Sequence, residues 1–263
     1  MKPLYADDQD VPFPQLFANP GALYRDTPFW AWNCRLDGEE LHRQIGIFKA
    51  MGMGGFHMHA RTGLATPYLG PEFMKLVRQC VDDAKSQSML AWLYDEDRFP
   101  SGAAGGLVTR DPAFRARHLL LTSTRRTEAL DPANDLSGKL LAVYAIRFDQ
   151  EHRLLDWQRL ADDAATEPGS ELLYVYRIVE SHNPWFNGQA YVDALNPHAV
   201  RRFVELTYEA YFREVGGEFG KAIPAIFTDE PHFTHETVLR FAAGRCDIRL
   251  PYTDDLPETY RPE

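Results

Sequence analysis

The sequence predicts an α/β protein built on a TIM-type (β/α) barrel that is incomplete, with a small antiparallel β insertion after its third strand. Three observations predict it. Short apolar strands alternate with amphipathic helices up to residue 97, a β-rich stretch interrupts them, and the alternation resumes near residue 190. Three of the strands end in dense polar clusters: His57/His59, Asp95–Asp97 and Asp229/Glu230. Strands of a parallel sheet stay apolar while buried, and ligands bind at their carboxyl ends.

The elements follow in order. Pro3, Pro12, Pro14, Pro20 and Gly21 forbid a long regular element, so the first residues are an irregular lead-in. PFWAWN (28–33) is a short aromatic strand. Asp37 with Glu40 forms a capping box for a helix carrying Leu41, Ile45 and Phe48, and Gly52 ends it. GGFHMH (54–59) is the second strand. Pro71 opens a helix with an apolar stripe of Phe73, Leu76, Val77, Cys80, Val81 and Ala84. MLAWLYDED (89–97) is the third strand, and the alternation implies right-handed parallel βαβ units. Segments 115–126, 139–149 and 171–180 are rich in β-branched and aromatic residues and make the antiparallel insertion. AYVDALNP (190–197) is read as a fourth strand, followed by a helix capped by Asn196 with Val200, Phe203, Val204, Thr207, Tyr211 and Val215 on one face. IPAIFTDEP (223–231) is the fifth strand. The expected divisions are 1–110, the first βα units; 111–185, the insertion; and 186–263, further βα units with a Pro-rich tail. An eight-stranded barrel needs about 250 residues without large insertions, so the chain is expected to be the N-terminal part of a longer protein. A complete, smaller open α/β sheet is the alternative.

Composition narrows the function. With 44% hydrophobic and 25% charged residues the chain is an ordinary globular sequence. A net charge of −10 without a long basic run argues against nucleic acid. Three separated cysteines, Cys34, Cys80 and Cys246, without a CxxC, support neither a disulfide framework nor a cysteine zinc site. No apolar h-region opens the chain and no stretch is long enough to span a bilayer, so a cytoplasmic protein without a membrane partner is expected. Oligomeric state is not legible.

Each polar cluster suits a chemistry. A carboxylate at the lip of a barrel is partly desolvated, its pKa rises, and it suits a general acid; Asp229 and Glu230 are placed there, followed by His232. As neighbours on a strand they point to opposite sides. In Tyr94-Asp95-Glu96-Asp97-Arg98, Asp95 and Asp97 fall on one side and Glu96 on the other. The glycines of PSGAAGG (100–106) let backbone N–H groups approach an anion, or give a flexible entry to the insertion. His57 and His59 share one face of the strand, with Arg61 following, suited to substrate hydroxyls or to a metal. Trp30, Trp32 and Asn33 offer stacking faces and an amide to a sugar, or a core plug; Trp185 stands in an aromatic loop.

The blocks PFWAWN, MGMGGFHMHARTGLATPYL, AWLYDEDRFPSGAAGG and FTDEP, in this order, resemble the opening half of bacterial barrel glycoside hydrolases of the family 106 α-L-rhamnosidase type. The resemblance covers residues 25–110 and 185–235. It implies a multi-domain (β/α)₈ enzyme acting on an oligosaccharide or glycoside by carboxylate acid/base catalysis, and a calcium ion near the sugar hydroxyls. It supports Glu230 as a catalytic acid, with Asp95, Glu96, His57, His59 and Arg61 lining the sugar site. It supplies no partner carboxylate. Two other readings stand beside it: a metal-dependent hydrolase centred on His57 and His59, and an inactive fragment or carbohydrate-binding module.

Overall fold

The computed structural model describes residues 12–126, 137–163, 165, 167–234, 236–238 and 247–260. The start of the lead-in with Pro3, the third cysteine, Cys246, and the last three residues of the tail lie outside them. The elements run α1 (Phe13–Ala18), β1 (Phe29–Trp32), α2 (Gly38–Ala50), β2 (Gly55–Ala60), α3 (Pro71–Ser86), β3 (Leu90–Tyr94), β4 (Arg117–Thr122), β5 (Ser137–Phe148), β6 (Leu154–Leu160), β7 (Glu171–Val179), α4 (Pro197–Leu206), α5 (Tyr208–Val215), β8 (Ile226–Phe227), β9 (Ile248–Tyr252) and α6 (Leu256–Thr259). The fold is mixed α/β, with one parallel and one antiparallel sheet, and the chain divides into two compact units.

Unit 1 comprises residues up to 107 and residues 201–231. Its sheet has the order β1-β2-β3-β8, all parallel. The segment 190–195, read above as a strand of this sheet, is not one: Val192 makes an isolated antiparallel bridge with Arg115 in unit 2. Four described strands are therefore parallel, and among the described residues no closed barrel forms.

The local signals of α2 and α3 hold. The Asp37 side chain accepts from Glu40 N at 2.9 Å, and Gly52 ends α2 with a φ of +83°. The reciprocal half of the capping box is absent, because the Glu40 carboxylate is taken by Arg43 and Gln44. The α3 stripe, with Leu41 and Ile45 of α2 and Tyr211 and Val215 of α5, packs on Trp30, Trp32, Phe56, Met58, Ala91 and Leu93. Burying each large side chain there stabilises by about 1.5–3 kcal/mol. Asn196 caps α4 by accepting from His198 N at 2.9 Å. The helix face expected over 197–215 is only partly buried: Phe203, Thr207, Tyr211 and Val215 are covered, Val200 and Val204 exposed. The helix is also divided at Thr207, whose hydroxyl bonds back to Phe203 O at 2.7 Å.

Unit 2 comprises residues 108–200 and those from 232 onward. Its antiparallel sheet has the order β6-β5-β7-β4-β9. Two of its strands were not foreseen. β6 is an edge strand with Leu154, Leu155 and Trp157 exposed, so no alternation marks it. β9 pairs with β4 from far along the chain, which local pattern does not encode. The segment 186–263 is thus shared between the two units.

Candidate functional site

Side chains in unit 1 are sorted by the period of two along its strands. On one face stand Trp30, Trp32, Phe56, Met58, Ala91 and Leu93, beneath the helices. On the other stand Phe29, Ala31, His57, His59, Trp92, Tyr94 and Phe227, brought together by the registers Phe29↔His57, Ala31↔His59, His57↔Trp92 and Tyr94↔Phe227. Trp30 and Trp32, expected to meet a sugar, are a correction: both are core residues. Their rings pack edge-on against each other and against Phe48, Phe56 and Phe73, and Trp30 Nε1 donates to Gln44 Oε1 at 2.6 Å. The exposed ring of this strand is Phe29, at 59%. Alternation within PFWAWN was the signal that would have found it.

Rings pave the second face. His57 stacks on Trp92 (4.9 Å, 12°) and His59 on Tyr94 (3.8 Å, 12°). Phe29 lies across both imidazoles, 4.9 and 4.7 Å away, with Phe227 at 5.1 Å. His57 Nε2 is 3.3 Å from Thr27 Oγ1, and His59 Nε2 is 3.3 Å from Arg61 Nη1. A guanidinium only donates, so His59 Nε2 accepts and the neutral ring carries its proton on Nδ1. Burial, then the Arg61 charge, then His57, lower the His59 pKa to about 4, and burial lowers that of His57. His57 Nδ1, His59 Nδ1, Trp92 Nε1 and the Tyr94 hydroxyl are shut off from solvent and have no hydrogen-bond partner among the described residues. Orphaned polar atoms cost about 1–3 kcal/mol each, and four on one face single it out.

The two acidic clusters at the rim have opposite characters. Glu96 is fully buried, and its carboxylate accepts from the backbone N–H groups of Asp97, Gly102, Ala103, Ala104 and Gly105. The acceptor that the glycine-rich loop encloses is the chain's own Glu96 carboxyl. Burial pushes the Glu96 carboxyl up to about 8, against the pull of the amides. Gly105 sits at φ +63°, where a Cβ would also meet the Asp97 side chain at 2.9 Å. Asp95 is equally saturated: Ser101 Oγ donates to Oδ1 at 2.6 Å, and Tyr208 and Thr228 hydroxyls lie 2.7 Å from Oδ2. Asp97 pairs with Arg98 at 2.6 Å, both nearly buried. All three acids follow the end of β3, so the strand alternation expected of them does not apply. Asp95 and Glu96, expected to be catalytic, brace the loops through these bonds, and Asp97, expected to bind substrate, lies buried against Arg98.

Asp229 and Glu230 differ. Asp229 is half-buried and Glu230 exposed, so the desolvation expected of Glu230 is absent. Neither carboxylate has a hydrogen-bond or ion-pair partner among the described residues. Their backbone is nevertheless pinned. Ser101 N donates to Asp229 O at 2.7 Å, and Asp229 N donates to Ser101 Oγ at 2.9 Å. Glu230 is held at φ +39°, in the left-handed region that costs a non-glycine residue about 1–2 kcal/mol. Such strain, over-determined by its surroundings, clusters at functional sites.

Asn33 is exposed just beyond β1, and Arg61 is half-buried just beyond β2. Trp185 and His232 belong to unit 2: Trp185 is 42% exposed in a turn capped by Asn183, and His232 stacks on Tyr191 at 4.7 Å. Calcium does not fit the described residues. The oxygens of Asp95 and Glu96 are occupied and Asp97 is paired with Arg98, and no group of three or more His, Cys, Asp or Glu is placed to hold a metal. The pair His57/His59 likewise lacks a further ligand among them. No described helix is long and apolar enough to cross a membrane.

No family model matches the chain, and no curated protein matches it. Among solved structures, the rhamnosidase from Novosphingobium sp. PP1Y is similar over 50% of this chain, at 18% identity and a TM-score of 0.37. The match spans 15% of that protein's length.

Proposed function

We propose that unit 1 carries the sugar site of a glycoside hydrolase, with an oligosaccharide or glycoside as substrate. One observation carries this: two unpartnered carboxylates, Asp229 and Glu230, stand on a pinned, strained backbone at the end of β8, and Phe227 of that strand belongs to an aromatic and imidazole face with an exposed ring, Phe29. Sugar C–H faces stack on such rings. In this reading Phe29 is the stacking platform, Asn33 and Arg61 meet ring substituents, and Glu230 protonates the leaving oxygen. The sequence blocks that resemble family 106 rhamnosidases support an α-L-rhamnoside as the first substrate to try. The second carboxylate of the pair that glycosidases use is Asp229 or a group outside the described residues.

The test is turnover of aryl glycosides, α-L-rhamnoside among them. Glu230→Gln is expected to lower kcat by about 10²-fold or more with the melting temperature unchanged; wild-type turnover in that variant sinks the assignment. Saccharide binding without any turnover assigns the face to binding alone.

A further inference from the structure

The site of unit 1 has two electrically different ends. At the end of β8 stand the unpartnered carboxylates. At the end of β2 stands Arg61, on the same face as His57 and His59. Its N–H donates to Trp32 O at 3.1 Å, and its Nη1 lies 3.3 Å from His59 Nε2. Among the described residues no carboxylate is within ion-pair distance of it. Some other cations of this unit stand in ion pairs: Arg43 with Glu40, Arg78 with Glu214, Lys85 with Glu218 and Arg98 with Asp97.

The guanidinium is also aimed. His59 is 4% exposed, clamped between Tyr94 and Phe29, and its Nε2 receives one donor of the Arg61 fork. A neutral imidazole takes only that one, and among the described residues the remaining donors have no partner. The Arg61 charge is among the causes that lower the His59 pKa. A planar fork of N–H groups matches a two-oxygen anion, and lysine does not reproduce that geometry.

Resting on the saccharide reading of this face, we propose that Arg61 makes the site selective for a carboxylate-bearing sugar, a uronic acid residue, with its carboxylate on the guanidinium and its ring against Phe29. His59 acts through Arg61, as a positioning residue.

The experiment is calorimetric titration of the chain with methyl glucuronide and methyl galacturonide, each beside its neutral methyl glycoside. The acidic glycosides are expected to bind about tenfold more tightly, a difference of roughly 1.4 kcal/mol. That gap closes in Arg61→Gln, in which acidic and neutral glycosides bind alike. Arg61→Lys, which keeps the charge and safeguards the fold, retains only part of it. Equal binding of acidic and neutral glycosides by the unaltered chain, or a gap that survives in Arg61→Gln, overturns the selectivity and leaves the saccharide site standing. Binding of neither class overturns both.

Discussion

Two acidic clusters close adjacent parallel strands, and they do opposite things. After β3, Asp95 accepts from hydroxyls, Glu96 from five backbone amides, and Asp97 pairs with Arg98. After β8, the carboxylates of Asp229 and Glu230 have no partner among the described residues, and the Asp229 backbone is held by Ser101. Three acids in a row drew attention to the first cluster, yet its hydrogen bonds are complete and its work is architectural. In the proposed reading the catalytic carboxylate is sought not where acids are densest but where an oxygen has no partner on a fixed backbone.

The comparison can be broken in stability measurements. Glu96→Gln sets an amide donor against backbone donors and is expected to cost about 1–3 kcal/mol in denaturant unfolding, whereas Glu230→Gln changes stability by less than about 0.5 kcal/mol. Similar costs for the two would end the distinction. The two faces of β1 sharpen it. Trp32→Ala should cost about 3–5 kcal/mol, while Phe29→Ala should leave the melt within about 1 kcal/mol of the parent and reduce saccharide binding; a Phe29→Ala chain that binds as before removes the platform.

Histidine provides the pH arm. The folded pKa of His59, lowered to about 4, lies below the ordinary 6.5. The unfolded chain therefore binds more protons between these values. The stabilisation from keeping His59 neutral is present above pH 6.5 and is lost as pH falls towards 4, on the order of 2 kcal/mol. His59→Gln should flatten that part of the stability profile; an unchanged slope shows that His59 is not its source. The smallest effect concerns the strained residue. Glu230→Gly should raise stability by about 1 kcal/mol while losing turnover, and a destabilised Glu230→Gly chain would mean that the left-handed backbone is not strained.

Much of this was legible before any coordinates. The helix starts at Asp37, Pro71 and Asn196 rest on local capping chemistry, and the strands ending at His59, Tyr94 and Phe227 on short apolar runs. The failures are equally specific. Trp30 and Trp32 were judged by residue type when alternation assigned them to the core. The segment 190–195 has the composition of a strand but no parallel neighbour. β6, an exposed edge, and β9, paired across a long separation, leave no local trace.

By itself the sequence determined where elements begin and end and which residues gather at strand ends, because caps, periodicity and turns act within a few residues. Only the tertiary structure decided which acids are spent and which are free, which ring of PFWAWN faces outward, and that Arg61 leans on His59 with the rest of its fork unmatched. Those outcomes depend on which partners approach from other strands and loops, and hydrogen-bond satisfaction is a property of the assembled neighbourhood rather than of any one stretch of chain.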